Sequence, residues 1–123
     1  RGAETERMVV RWLRTHGYPG AKRRLAGNGQ AGDIDGLAWV VEVKGARRVA
    51  WQAWCRQAAA EAAGAPWVVV QRVDGDRDVA AWPVVAGPGV PQAGGPGWRP
   101  VEIGGITRTC WAGCFSWLFT KEA

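Results

Sequence analysis

A chain of 123 residues is long enough for one domain with a buried core and too short for two. Apolar residues make up 47% and charged residues 22%, which excludes a wholly disordered chain, and no apolar run approaches the roughly 20 residues that a membrane-spanning helix needs. The formal net charge of +5 and the pI near 9.7 favour a polyanionic partner such as nucleic acid, although a solvated basic surface without a partner fits the charge equally well.

The cysteines and the first residues predict a cytoplasmic protein of a bacterial, archaeal or phage-infected cell. The first 14 residues carry charge throughout and show no signal-peptide pattern, while a chain that starts on Arg rather than Met is compatible with a further N-terminal stretch. Three cysteines argue against a secreted disulfide framework. Cys110 and Cys114 would meet on one helix face, but Cys55 is distant and His16 is the only histidine. We therefore expect buried thiols and no zinc.

Helices and strands alternate along the predicted chain. Residues 3–16 predict a helix with Val9, Val10 and Leu13 on its apolar face, and Gly17 is a natural end. The remaining predicted elements are a basic strand at 21–26, a polar loop at 27–32, a strand at 37–44, a helix at 49–63, a strand at 67–72, a strand at 79–85, a loop at 87–97, a strand at 99–103 and a closing helix at 106–119.

The order of these elements predicts an α/β fold. A strand, a helix and a second strand in succession are typical of parallel neighbours in one sheet, with helices packed on its faces. We therefore expect a central mixed sheet flanked by helices, in the order αβββαβ. We expect residues 1–123 to form one domain, with its core at about 3–85, a Gly/Pro-rich loop at 87–97 and a strand and helix tail at 99–123.

A carboxylate and an ammonium group are predicted on one face of an otherwise apolar strand. Side chains alternate along a strand, so Glu42 and Lys44 point to one face, and Val41 and Val43 point to the other. Charged groups in such a place are costly unless they are paired or bound to a metal ion. The pattern favours a functional site over its alternative, a salt-bridged pair at a strand end.

Asp33 extends this pair to a candidate metal site. Hard cations such as Mg²⁺ take oxygen ligands, usually one or two carboxylates with water and substrate phosphate. Asp33 and Glu42 would supply the carboxylates, and the backbone carbonyl of Val43 a third oxygen; Mn²⁺ is an alternative cation. Lys44 would orient or deprotonate the attacking water, or stabilise charge on the scissile phosphate. Asp35 is either a second ligand or, as we favour, a turn-forming residue.

These motifs resemble those of the PD-(D/E)xK nuclease superfamily. Three features follow one another in the family's order: a helix with Glu6, then Gly-Asp-Ile-Asp-Gly with Asp33, then Val-Glu-Val-Lys with Glu42 and Lys44. A little over half of the chain looks most like archaeal-type Holliday junction resolvases and similar small phage nucleases. Gly32 stands where the family has a proline. The resemblance implies a restriction-endonuclease-like core, metal-dependent DNA cleavage and catalytic roles for these four charged residues.

The resemblance also implies a homodimer that cuts branched DNA, especially four-way junctions. The position of Glu6 has support from periodicity, since on a helix it shares the inward face of Val9 and Leu13; its alternative role is a first-turn acid that favours the helix dipole. Gln57 follows the strand at a position where related nucleases carry a glutamine that supports the lysine or a phosphate, although an ordinary surface glutamine fits as well. The basic residues predicted to contact phosphates flank the site in sequence: Lys22, Arg23, Arg24, Arg47 and Arg48.

Three other functions remain open from the sequence. A repair or restriction nuclease of the same superfamily would act on duplex or flap DNA. A non-catalytic DNA-binding module would keep the fold and the basic surface, but it would be free to lose Asp33, Glu42 and Lys44. A zinc-stabilised interaction domain would use Cys110 and Cys114. We expect no membrane partner.

Overall fold

The computed structural model describes residues 2–25, 32–45 and 47–119, and in this part of the chain two α-helices pack with a mixed five-stranded sheet that contains one parallel pair. The protein is therefore of the α/β class. In chain order the elements are α1 (Gly2–Thr15), β1 (Lys22–Arg23), β2 (Ile34–Asp35), β3 (Val40–Lys44), α2 (Trp51–Ala62), β4 (Trp67–Gln71), β5 (Pro83–Ala86), β6 (Arg99–Val101) and β7 (Cys110–Cys114), with 3-10 helices at Val79–Ala81 and Phe115–Phe119.

Helix α1 is amphipathic, as its sequence predicts. Val9 and Leu13 are fully buried and Val10 nearly so, whereas Arg7 and Arg11 are exposed on the other side. The helix ends before Gly17, whose φ of +98° is costly for a residue with a side chain. The predicted helix at 3–16 is confirmed to within one residue at each end.

The parallel pair of strands is β3 and β4, connected through α2. Parallel neighbours need such a crossover, and the run Val68, Val69 and Val70 is fully buried, as expected of a strand covered on both faces. Helix α2 ends where Ala63 takes a left-handed conformation. The predicted helix at 49–63 and strands at 37–44 and 67–72 are confirmed, except that 37–39 and 72 lie outside the strands.

The sheet order is β3-β4-β5-β7-β6, and β1 with β2 forms a separate antiparallel pair. The predicted sequence of helix, three strands, helix and strand is therefore present, but the first two strands do not belong to the five-stranded sheet. The predicted polar loop at 27–32 lies, apart from residue 32, outside the described residues.

The predicted closing helix at 106–119 is wrong. Cys110–Cys114 form β7, which pairs with β5 on one side and β6 on the other. Gly113 allows this strand to lie against two indole rings, because a Cβ there would come within 2.5 Å of Trp98 and 2.8 Å of Trp117. The apolar spacing that suggested a helix is overridden by ladder hydrogen bonds on both edges. Only residues 115–119 are helical, as a 3-10 turn.

The predicted strand at 79–85 starts four residues late, at Pro83. Asp78 caps a 3-10 helix instead, its side chain accepting a hydrogen bond from the N–H of Ala80 over 3.1 Å. The turn places Trp82 in the core, where it is fully buried. The strand predicted at 99–103 is confirmed over 99–101.

The two faces of the sheet are covered by different elements. Val41 and Val43 lie in one buried cluster with the apolar residues of α1. Val69 and Val85 lie in a second cluster with Trp54 and other residues of α2. Residues paired across a sheet point to the same face, and Glu42 is paired with Val69, so Glu42 faces the side that carries α2. No helix in the described part of the chain has the length and apolar character needed to cross a membrane.

The approach of Gly36 to the loop before β1 generates a testable prediction. Gly36 has a φ of +94°, and a Cβ there would lie 2.5 Å from the carbonyl oxygen of Gly20. Gly75 has a similar φ of +84° but open space around it. We expect Gly75→Ala to lower the free energy of unfolding by about 1 kcal/mol through backbone strain, and Gly36→Ala to lower it by about 2–5 kcal/mol through strain and steric overlap. Urea denaturation measures both, and equal losses would contradict the close approach.

Candidate active site

Asp33 joins the two-stranded sheet to the edge of β3. Its backbone N–H donates to the carbonyl of Val41 over 2.7 Å, and its Oδ2 accepts from the N–H of Val43, also over 2.7 Å. On the other side, the carbonyl of Asp33 accepts from the N–H of Arg24 over 2.8 Å. These three bonds fix both the backbone and the carboxylate of Asp33 beside the strand that carries Glu42.

The same edge of β3 presents the backbone carbonyl of Val43. The N–H of Val40 and the carbonyl of Lys44 bond to the chain on the β4 side, over 2.9 and 2.8 Å. Backbone groups alternate along a strand, so the carbonyl of Val43 points to the opposite edge, where Asp33 lies. A carboxylate and a carbonyl oxygen therefore border one edge of the sheet.

Glu42 is a buried carboxyl with other carboxyls as neighbours. Only 7% of the surface of Glu42 is exposed to solvent. Burial raises the pKa of Glu42 from 4.5 to about 8, and the charge of Asp33 and hydrogen bonds to Glu61 and Asp33 add to the rise. Ionising Glu42 beside Asp33 is therefore costly unless a positive charge compensates.

Glu61 is the neighbour that reasoning from the sequence missed. It lies in the last turn of α2 and is exposed, with its Oε1 accepting a hydrogen bond from Nε2 of Gln57 over 3.1 Å. One signal could have found it: an acid at the C-terminal end of a helix is unfavourable to the helix dipole, so a reason outside the helix is needed. The structure links Gln57, Glu61, Glu42 and Asp33 in one chain of polar contacts.

Lys44 lies on the same face of β3 as Glu42 and is half-buried. Two positions along a strand correspond to about 6.6 Å. The ammonium group of Lys44 and the carboxyl of Glu42 therefore border the same region of the sheet, at the end of β3 where the chain leaves for α2.

Glu6 contacts a different partner from the one expected. Its Oε1 accepts a hydrogen bond from Nε of Arg23 over 3.0 Å, and it is half-buried. The polar residue of α1 that is fully buried is Thr5, which accepts from the guanidinium of Arg72 over 3.2 Å. Glu6 is not among the groups that raise the pKa of Glu42. The structure thus brings Asp33 and Glu42 together and assigns Glu6 an ion pair with β1.

The residues predicted to contact phosphate fall into two groups. Arg23 pairs with Glu6, and Arg24 pairs with Asp35, its Nε donating to the carboxylate over 2.7 Å. Asp35 is therefore an ion-pair partner on β2. The other cations of the prediction, and Gln57, are exposed: Lys22, Arg47 and Arg48. These three side chains are accessible to a ligand on the surface.

The cysteine pairing assumed for a zinc site is wrong. Cys110 and Cys114 lie at opposite ends of β7, about 13 Å apart along the strand, and not on one helix face. The thiol close to Cys110 is Cys55, and burial together with Cys110 raises the pKa of Cys55 to about 12. Both are free thiols, as predicted. Within the described residues, no three His, Cys, Asp or Glu side chains are arranged to hold one metal ion.

The donor set at the edge of β3 is therefore two carboxyls, Asp33 and Glu42, and one carbonyl, that of Val43. Oxygen donors in this number suit a hard divalent cation that keeps several waters and contacts a substrate phosphate. Comparisons with models of protein families, with curated proteins and with solved structures gave no match. The chemistry of the site is therefore inferred from its own residues.

The raised pKa of Glu42 predicts a loss of stability as the pH rises. Below pH 4.5 this carboxyl is protonated in both the folded and the unfolded chain. Between pH 4.5 and about 8 the unfolded chain loses the proton while the folded chain retains it, so folding becomes less favourable, and the loss is complete above about pH 8. Since one pKa unit corresponds to about 1.36 kcal/mol, the loss attributable to Glu42 amounts to several kcal/mol.

We therefore expect Glu42→Gln, which keeps the shape without the charge, to be more stable than the parent chain at pH 8 by a few kcal/mol and about equal at pH 4. Urea denaturation across this pH range measures the difference. Glu102→Gln, at an exposed position after β6, is the control and should show no such trend. A stability difference that stays constant with pH would contradict the burial of Glu42 against Asp33 and Glu61.

Proposed function

We propose that this protein is a Mg²⁺-dependent endodeoxyribonuclease of the PD-(D/E)xK type with a restriction-endonuclease-like core. The observation that carries the proposal is the placement of Asp33 against the open edge of β3, next to the buried carboxyl of Glu42. A pair of carboxyls that raises the pKa of one member is destabilising in the absence of a cation. Such a pair is expected where a cation takes part in function.

Asp33 and Glu42 would hold the cation, with the carbonyl of Val43 as a third oxygen; Mn²⁺ would be accepted as well. When bound, the cation supplies positive charge that polarises a phosphodiester and stabilises the charge that develops during its hydrolysis. The N–H of Val43 orients Asp33 through the bond to Oδ2, so this carboxylate is positioned before any ligand arrives.

Lys44 supplies the other charge of the site. Its ammonium group lies on the face of β3 that carries Glu42, and it would stabilise the negative charge on the scissile phosphate or orient the attacking water. Glu61 would act on Glu42, since a carboxyl that shares a hydrogen bond with Glu42 influences where its proton resides. Gln57 would hold Glu61 in place.

The proposed substrate is branched DNA, in particular the four-way junction, cut by a homodimer in a cytoplasm. A symmetric junction needs two paired cuts, and a two-fold dimer supplies two sites. The net charge of +5 and the exposed Lys22, Arg47 and Arg48 support a DNA partner. A repair or restriction nuclease on duplex or flap DNA is the alternative within the family. A non-catalytic DNA-binding module is disfavoured because binding alone gives no reason to bury Glu42 beside Asp33.

The proposed metal site predicts that Asp33→Asn and Glu42→Gln lower Mg²⁺-dependent cleavage by about 10²-fold or more while DNA binding persists. Each change removes a charge that would hold the cation and keeps the shape of the side chain. Asp35→Asn is the matched control, because Asp35 pairs with Arg24 and should leave cleavage largely intact. Mg²⁺ at pH 8 should also raise the melting temperature of the parent chain and not that of the two variants. Near-normal cleavage by Asp33→Asn would refute the assignment.

The proposed junction specificity predicts tighter binding and faster cutting of a four-way junction than of linear duplex at matched salt. Paired nicks should fall symmetrically across the junction, and affinity should drop steeply as salt rises. Sizing chromatography at working concentration should show a dimer. Equal affinity and cutting for the two DNAs, or a strictly monomeric protein, would contradict the resolvase proposal and leave the nuclease proposal intact.

A further inference from the structure

A groove of about 470 Å³ lies between α1 and β1, and most of the residues that line it are arginines. Four of its six residues are arginines and none is acidic. The lining residues are Arg7, Val10, Arg11, Arg14, Thr15 and Arg23. Three of the arginines come from α1, and none of these three was predicted from the sequence to contact DNA.

The arginines on α1 have the spacing of near neighbours. Residues three and four apart on a helix lie side by side, so Arg7, Arg11 and Arg14 form one ladder of like charge, which destabilises an isolated helix. Arg7 and Arg11 are exposed, and within the described residues the side chain of neither has a hydrogen bond or ion pair. The acids of the same helix pair with other arginines, Glu4 with Arg72 and Glu6 with Arg23. A ladder of this kind is best explained by an anionic ligand.

The other two arginines are held in position. Arg14 donates from Nε to the carbonyl of Ala21 over 2.9 Å, and Arg23 donates from Nε to Glu6 over 3.0 Å. Both contacts use Nε, and among the described residues the terminal amino groups of these two arginines have no hydrogen-bond partner. Groups fixed before binding lose less conformational freedom when a ligand arrives.

The groove is connected to the candidate active site through the pairing of β1 with β2. Arg23 is paired with Ile34, the residue that follows Asp33, and the N–H of Arg24 donates to the carbonyl of Asp33. One small antiparallel unit, β1 with β2, therefore carries both a wall of the groove and a carboxyl of the site. A DNA strand bound in the groove would therefore lie one β-strand away from the segment that carries Asp33.

We infer that this groove binds the sugar-phosphate backbone of the DNA strand next to the scissile phosphate. The ladder from Arg7 to Arg14 spans about 10 Å along the helix. At about 3.4 Å of rise per nucleotide, it covers roughly three nucleotides of one strand. The contact is with phosphates and carries no base specificity. The identity of the polyanion as DNA rests on the proposed function.

The test measures how DNA affinity depends on salt, in EDTA so that no cleavage occurs. The variant is Arg7→Gln with Arg11→Gln. The matched control is Arg99→Gln with Arg108→Gln, which makes the same change of charge at exposed positions near β6, the opposite edge of the sheet. Titration of a labelled duplex and a labelled four-way junction at several salt concentrations gives the slope of log K against log salt.

Each lost phosphate contact lowers the magnitude of the slope on duplex DNA by about 0.9. Because the groove variant lacks two arginines, the magnitude of its slope should fall by about 1.8, whereas the slope of the control should hardly change. Equal changes in the two variants would overturn the inference, because they would show diffuse attraction by net charge. Melting temperatures near that of the parent establish that both variants are folded.

Cleavage in Mg²⁺, assayed in parallel with the parent chain, separates this inference from the proposed function. A slope loss confined to the groove variant, with no cleavage by the parent chain, would leave the groove established and the nuclease proposal refuted. If the parent chain cleaves DNA but the groove variant and the control show equal changes of slope, the nuclease proposal is supported and the groove inference is refuted. If the parent chain does not bind DNA at low salt, both are refuted.

Discussion

The docking of Asp33 on β3 is the interaction on which the rest of the site depends. Strand β3 is the edge of the five-stranded sheet, and an edge strand has backbone groups that seek partners. Asp33 meets them with its own N–H at Val41 and with its side chain at Val43. The same bonds that join β1 and β2 to the main sheet thus also place a carboxylate beside Glu42. The hydrogen bonds that attach the two-stranded sheet to β3 therefore also determine the geometry of the candidate site.

The central part of the fold could be predicted because its local signals agree with its tertiary environment. Three local signals specify their own elements: the valine run of β4, the alanine-rich sequence of α2 that stops at Gly64 and Pro66, and the alternation around Glu42. That Glu42 and Lys44 share a face could be predicted for the same reason, since side chains alternate along a strand. The position of Asp33 beside them depends on its hydrogen bonds to β3, which strand alternation does not predict. Nothing in local sequence determines which helix covers which face. That is why Glu6 was expected at the site and Glu61 was overlooked.

The C-terminal part could not be predicted because its strands depend on distant partners. β7 has apolar residues at helical spacing, and Gly113 matters only once Trp98 and Trp117 are in place. The arginines show the same limit. Arg23 and Arg24 are adjacent to the motif in sequence, but each forms an ion pair with a carboxylate, Glu6 or Asp35, that its position in the sequence does not reveal. Whether a cation is available to a ligand is a property of its neighbours in space, which spacing along the chain does not reveal.

The position of β7 has a consequence for how the chain folds during synthesis. Although β7 is the last strand of the described chain, it lies inside the sheet, between β5 and β6. Until it emerges from the ribosome, β5 has a bare edge, and Val84 and Val85 lack their neighbours on that side. All residues of the candidate site have been translated by position 72, but the five-stranded sheet that supports them cannot be completed until β7 has been translated, at position 114. Nascent chains of intermediate length are therefore the forms most exposed to strand-to-strand aggregation and to chaperones.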